Sequence, residues 1–171
     1  MTRSLERESL VSKPSRTSRR ALLAGAAVAM VGSGVRAQPA DDSAQLLAIM
    51  ERYAAGLRWG AADALVALYT PDGVFIRDDL PAAAGTEALR AAYRQLFATL
   101  KVDLAFTIQE TEVAGDMAWL RATSKGRIRT LASGVEATET FNTVVIFRRT
   151  PAGWKIRCYV YNASKGVGIP Q

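Results

Sequence analysis

The chain has 171 residues, a formal net charge of +6 and no histidine. Residues 1–37 hold seven Lys/Arg against Glu6 and Glu8, so five of the six net positive charges lie there and the remainder carries +1. That balance gives no electrostatic case for binding nucleic acid or anionic lipid. The missing imidazole excludes Ser-His-Asp and Cys-His catalysis and histidine-based metal sites, and a single cysteine excludes an internal disulfide.

The N-terminal segment SRRALLAGAAVAMVGSGVRAQ places Arg19 and Arg20 before a weakly apolar Ala/Gly-rich run, Ala21 to Val35, with Val35-Arg36-Ala37 as a small-residue cleavage site. This reads as a twin-arginine export signal, removed after Ala37, and predicts a periplasmic or secreted protein. The run is shorter and more glycine-diluted than the roughly 20 apolar residues that a membrane span needs, so stable insertion is not expected after processing.

Residues 38–44 read as a polar linker in which Asp41, Asp42 or Ser43 caps the following helix. One apolar stripe, Leu46, Met50, Tyr53 and Leu57, predicts a helix ending near Gly60. A second, shorter helix carries Leu65, Leu68 and Tyr69 and stops at Pro71 and Gly73. A strand over 74–78 follows, then a loop, LPAAAG. Thr86 is expected to cap a third helix with Leu89, Tyr93, Leu96, Phe97 and Leu100 on one side.

From Lys101 the period changes from 3.6 to 2. Val102, Leu104, Phe106 and Ile108 alternate with polar residues, and turns at 114–116, 132–134 and 150–153 divide the rest into strands over 117–130, 136–149 and 154–162. Helices first and strands after predict an α+β domain over 45–165, with residues 166–171 as a tail. The expected architecture is a curved, mostly antiparallel sheet of four to six strands, with three N-terminal helices on its concave face. Long antiparallel strands coil, so three helices leave a pocket at the open end, with Tyr53 at its rim.

The stretch ERYAAGLRWGAADALVALYTPDGVF, then AGTEALRAAY, and the closing strands TVVIFRR and GWKIRCYVYN resemble the nuclear transport factor 2-like superfamily, a cystatin-like cone. Within it the chain is most similar to SnoaL-like and ketosteroid-isomerase-like domains. The resemblance covers nearly all of residues 45–165. It implies a fold more than an activity, because the superfamily mixes isomerases, cyclases, dehydratases, binding proteins and dimerisation modules.

In ketosteroid isomerases an Asp base moves a proton while a Tyr and a protonated Asp hydrogen-bond the oxyanion. The resemblance puts Tyr53 at the tyrosine's place. Counting without gaps from Tyr53 puts Arg77 where the base belongs, with Asp78 and Asp79 following it. A carboxylate beside Arg77 would be held ionised, the wrong direction for a base working near neutrality. Val145 falls where the protonated Asp would stand and has no donor. One lost oxyanion donor costs about 3 to 4 kcal/mol of transition-state stabilisation, which argues against steroid isomerase activity. Ala61 replaces the Asp frequent after Gly60.

Alternation puts Trp154, Ile156, Cys158, Val160 and Asn162 on one face of the last strand and Phe141, Thr143, Val145 and Phe147 on the matching face of its neighbour. The expected ligand pocket therefore draws on Tyr53, Trp59, Arg77, Thr143, Val145, Cys158 and Asn162. The strand 117–130 has two readings. Its pattern sends Ala118, Leu120, Ala122 and Ile128 inward, whereas the resemblance sends Trp119 and Arg121 inward, where Arg121 would favour an anionic ligand.

Three functions are consistent with these residues. The first is an exported cavity domain binding a small, largely apolar molecule. The second is a cofactor-free isomerase, lyase or hydrolase using Tyr53 with Asp78 or Asp79. The third is a dimerisation module, a homodimer, with a vestigial pocket. No metal, nucleotide or other cofactor motif is present: GxGxxG, P-loop and cysteine clusters are all missing.

Overall fold

The computed structural model describes residues 39–78 and 80–164. Asp79, the export signal and the tail expected over 166–171 lie outside the described residues. Among the described residues three helices, α1 (Pro39–Trp59), α2 (Ala62–Val66) and α3 (Thr86–Thr99), precede or interrupt six strands. The strands are β1 (Tyr69–Arg77), β2 (Leu80–Ala84), β3 (Leu100–Ala114), β4 (Met117–Thr130), β5 (Glu136–Thr150) and β6 (Gly153–Ala163). They form one open sheet in the order β2-β1-β6-β5-β4-β3. Only the β1–β6 pairing is parallel.

Helix α1 buries Leu46, Ile49, Met50, Tyr53 and Leu57, the expected stripe with Ile49 added. It ends where Gly60 takes φ 64° and Ala61 N–H reaches back to Gly56 O at 2.9 Å. A left-handed residue at that place is a common helix stop. The helix starts earlier than its stripe predicts. Pro39 stands at its first position, where a missing N–H costs nothing, so residues 39–44 are helical turns and no linker. At α3 the cap position belongs to Gly85 at φ 85°, and Thr86 is already inside the helix.

Two further expectations fail around β1. Pro71, Asp72 and Gly73 do not end a helix: they lie inside a strand that begins at Tyr69. Between the pairs Tyr69↔Ile156 and Val74↔Cys158, β1 advances five residues while β6 advances two, so the Pro-Asp-Gly stretch is an excursion from the ladder. The segment LPAAA forms the edge strand β2. Alanines give it little β-propensity, and an edge is where a sheet tolerates proline.

The strand β6 carries the most consequential irregularity. Phe147 pairs with Ile156 and Ile146 with Cys158, leaving Arg157 unmatched. One extra residue shifts every later side chain to the other face. Trp154 and Ile156 are buried with the helices' partners, but beyond the bulge Tyr159 is the buried residue. Arg157 Nε meets Asp72 Oδ2 at 3.2 Å, so the bulge in β6 and the excursion in β1 are joined by an ion pair.

On β4 the pattern reading holds. Ala118, Leu120 and Ala122 are buried, while Arg121 is half exposed and pairs with Glu110 on the opposite face. Strands β3 and β4 approach closely at Gly126, where an added Cβ would lie 2.0 Å from Asp103 O. Ring contacts of Tyr53 with Phe106 and Tyr159, and of Tyr93 with Phe75, bring α1 and α3 against one face of the sheet.

Candidate functional site

The interior of that face is aromatic. Tyr53 from α1, Tyr69 from β1 and Tyr93 from α3 join their hydroxyls in a row, with Tyr93 in the middle at 2.8 Å from Tyr53 and 2.7 Å from Tyr69. Tyr159 stacks on Tyr53 with centroids 4.6 Å apart, and Phe75 stacks on Tyr93 at 4.8 Å. Buried phenols need partners for their O–H groups. Here each of the three finds one on a different element, so the row fastens helix to helix and helix to sheet.

Burial is the first cause that pushes the Tyr53, Tyr69 and Tyr93 hydroxyls well above the ordinary phenol value, with neighbouring tyrosines adding to it. Charge is disfavoured in such a place because the phenolate loses its water. Burial raises Tyr159 too, and the nearby Thr143 and Tyr53 hydroxyls pull it partly back. The Thr143 hydroxyl influences Tyr159 without good geometry, since Thr143 Oγ1 makes no hydrogen bond among the described residues.

Beside this row lies a cavity of about 60 Å³. Leu57, Val102 and Leu104 form part of its wall, Leu96, Ile128 and Phe141 are among its half-buried residues, and Tyr53 with Tyr159 lie along it. Among the described residues its lining holds no carboxylate and no cation, and Ser124 supplies the one aliphatic hydroxyl. Liquid water occupies about 30 Å³ per molecule and an apolar cavity of about 150 Å³ accepts benzene, so this hollow takes only a short group as it stands.

Among the described residues the expected catalytic side chains, Tyr53 and Asp78, do not converge. Tyr53 is 1% exposed and its hydroxyl is engaged with Tyr93, so it belongs to the packed interior and not to a rim. Asp78 is exposed, and its Oδ2 accepts the Ala163 N–H at 2.8 Å, which closes the end of β6 onto the turn after β1. Arg77 lies half-buried with its guanidinium carbon 5.6 Å from the Phe75 ring centroid, a cation over an aromatic face. Among the described residues no acid and base face one another across the cavity. Among the described residues no group of three or more Cys, Asp and Glu side chains could hold a metal ion.

The pocket assignments need correction at five further positions. Trp59 is 79% exposed at the end of α1, because it sits outside the stripe. Val145 and Thr143 do face inward, but both are sealed in the core and neither lines the cavity. The bulge at Arg157 turns Cys158 and Asn162 to the opposite face of the sheet. In their place stand Tyr159 and Tyr161, which alternation had put outside. The signal that could have found them is the spacing of the two tyrosines beside Phe75, which β1 brings into register with Tyr159. Cys158 is half-buried, and burial pushes its thiol up, away from reactivity.

A buried charged cluster lies elsewhere. Asp42, in the first turns of α1, accepts hydrogen bonds from Trp154 Nε1 at 3.0 Å and Arg149 at 2.5 Å, and the Arg149 guanidinium lies 4.3 Å from the Trp154 ring centroid. The bond from Arg149, then that from Trp154, holds the Asp42 carboxyl below the usual carboxylate range, against the upward push of burial. The residue expected to cap a helix is instead the anchor between α1 and the last two strands.

The family model described as the SnoaL-like domain matches residues 46–162. A ketosteroid isomerase-like protein from Erwinia carotovora atroseptica is similar at 27% identity, over 71% of this chain and 95% of that one, with a TM-score of 0.68. A cystatin-like-fold member of the nuclear transport factor 2-like group from Novosphingobium aromaticivorans shares 26% identity over 75% of this chain and 86% of its own, with a TM-score of 0.60. A nuclear transport factor 2-like superfamily protein from Salmonella enterica shares the fold at 13% identity, over 78% and 99% of the two chains, with a TM-score of 0.69. No curated protein matches the chain.

Proposed function

The chain belongs to the SnoaL-like domain family, and from that premise we propose that it is an exported binding domain whose cavity receives a short apolar group. That group is either a whole small molecule or one end of a larger one lying across the mouth. The observation that carries this reading is the lining: an apolar wall in which the Tyr53 hydroxyl is already engaged by Tyr93 and, among the described residues, no carboxylate or cation stands. Such a site discriminates by shape and hydrophobicity, since a buried charge on the ligand would have nothing to pair with. It supports binding over the acid–base readings, because Asp78 is committed to Ala163 and Tyr53 to Tyr93. The Arg19-Arg20 pair before the Ala/Gly-rich run, read as an export signal, favours a site of action outside the cytoplasm.

Thermal-shift and native mass measurements test this reading on protein isolated from its own periplasm, with a panel of short alkyl and aryl compounds. A ligand at about 100 times its dissociation constant adds about 2.7 kcal/mol of stability. Ile128→Trp, which fills the mouth with an indole, is expected to abolish the shift. If no compound stabilises the wild type, or the filled variant responds equally, the binding reading fails.

A second reading rests on the other sheet face. There Val144 is 40% exposed, and Trp119, Ile146, Cys158 and Val160 are half-buried beside it. An apolar centre rimmed by Arg121 and Glu110 has the composition of a self-association surface. A homodimer joined through it is expected to dissociate on Val144→Glu in sedimentation runs, and a monomeric wild type would remove the idea.

A further inference from the structure

At the far end of the sheet, the close of α1 meets the start of β3 and the end of β4 around an open groove of about 600 Å³. Arg58, Lys101, Arg127 and Arg129 line it with Asp103, Glu136 and Trp59. The charges are unequally satisfied. Asp103 bridges Arg58 at 2.9 Å and Arg127 at 3.7 Å, and Glu136 lies 3.9 Å from Arg127. Lys101 and Arg129 occupy directly opposed register positions on β3 and β4. Among the described residues neither side chain has an ion pair or hydrogen bond.

Like charges placed opposite each other across an antiparallel ladder repel. An anion between them replaces that repulsion by two charge-assisted contacts, and the guanidinium can hold a carboxylate through two parallel bonds. Trp59 supplies the second feature. Its indole is 79% exposed and lines the same groove, where an exposed aromatic face would stack on a flat ligand. The volume falls within the range that small-molecule sites usually occupy.

We propose that this groove binds a small organic anion, with its carboxylate, sulfonate or phosphate between Lys101 and Arg129 and its flat apolar body against Trp59. The groove shares no lining residue with the apolar cavity, whose described lining offers no charge. Because the cations are exposed, binding weakens as salt rises, whereas apolar binding in the cavity does not.

Sodium 2-naphthoate is the probe, with uncharged 2-naphthamide as its control, titrated into the folded chain while amide and indole resonances are followed by NMR. The expected result is shifts at the Trp59 indole, Lys101 and Arg129, with the naphthamide binding about tenfold more weakly. The double substitution Lys101→Ala and Arg129→Ala changes exposed side chains only, and its amide spectrum verifies folding. It is expected to weaken naphthoate by about tenfold or more and to flatten the salt dependence. Equal binding of the two compounds, undiminished binding by the double variant, or shifts confined to Phe141 and Tyr161 around the cavity would each overturn the proposal. The last of these results would leave the cavity reading intact.

Discussion

Trp154 Nε1 donates to Asp42 Oδ1 across 3.0 Å and 112 positions of sequence, tying the first turns of α1 to β6. The Asp42 side chain is 4% exposed and also takes the Arg149 guanidinium. Removing the carboxylate leaves a guanidinium and an indole N–H without their acceptor in a largely buried place. Asp42→Ala is therefore expected to cost about 3 kcal/mol, read as a lowered urea midpoint.

The same contact makes a pH prediction. Arg149 and then Trp154 hold the folded-state carboxyl below the ordinary carboxylate value of 3.8, so its contribution is fully present above that value and is lost as pH falls through the depressed folded value. Asp42→Asn keeps the shape and removes the proton site. The stability gap between wild type and Asp42→Asn should be largest near neutrality and shrink as the pH drops below 3.8. A gap that stays constant down to acid unfolding would show that the Asp42 charge adds nothing.

Within the hydroxyl row, position decides cost. Tyr53→Phe removes one bond and leaves Tyr93 still paired with Tyr69. Tyr93→Phe removes both bonds and strands two buried hydroxyls. Chemical denaturation should show about 1 kcal/mol lost for Tyr53→Phe and about 3 kcal/mol for Tyr93→Phe, since an unsatisfied buried group carries its full desolvation cost. Equal losses would mean that water reaches the row.

The parts of the fold legible in sequence are those set by local periodicity. The α1 stripe, the α3 stripe and the alternation along β3 and β5 each repeat over enough residues to fix a face, whereas on β4 pattern and resemblance point to opposite faces and only the structure decides for the pattern. What escaped depends on partners far away. Asp42 looks like a helix cap because Arg149 and Trp154 are 107 and 112 residues distant. The inward face of β6 was misjudged after Ile156 because a single unpaired residue, Arg157, leaves no trace in composition yet reverses all that follows. The Pro-Asp-Gly stretch reads as a turn, and it does leave the ladder, but β1 has already begun. The candidate site suffered most, since Cys158 and Asn162 lie beyond the bulge. The cations around Trp59 are visible one by one in the sequence, but only the register of β3 on β4 shows that Lys101 and Arg129 oppose each other.

Thr143 offers a gain in stability. Its hydroxyl is buried beside Tyr159 with no well-formed hydrogen bond, and its shape is that of valine. Replacing an unsatisfied polar group by an apolar one of equal volume removes a desolvation cost, and valine suits a central strand. Thr143→Val is expected to raise stability by about 1 kcal/mol in thermal or urea unfolding. A loss of that size would show that the hydroxyl serves Tyr159 as a partner after all.

Four of the five tyrosines, Tyr53, Tyr69, Tyr93 and Tyr159, are buried, and burial pushes all four hydroxyls above the ordinary phenol value of 10.0. In the unfolded chain they ionise near their ordinary value, so above it the unfolded state sheds protons that the folded state keeps. Stability is then fully present below pH 10 and falls as pH rises through and beyond it. The native protein should develop no more than one residue's worth of phenolate absorbance on alkaline titration until near-ultraviolet circular dichroism collapses. The remaining phenolate should then appear together with that collapse. Tyr93→Phe, with one buried phenol fewer and two left unpaired, should unfold at lower pH than wild type. If several phenolates form while the dichroism stays native, water penetrates the row, and a dry apolar cavity beside it is no longer tenable.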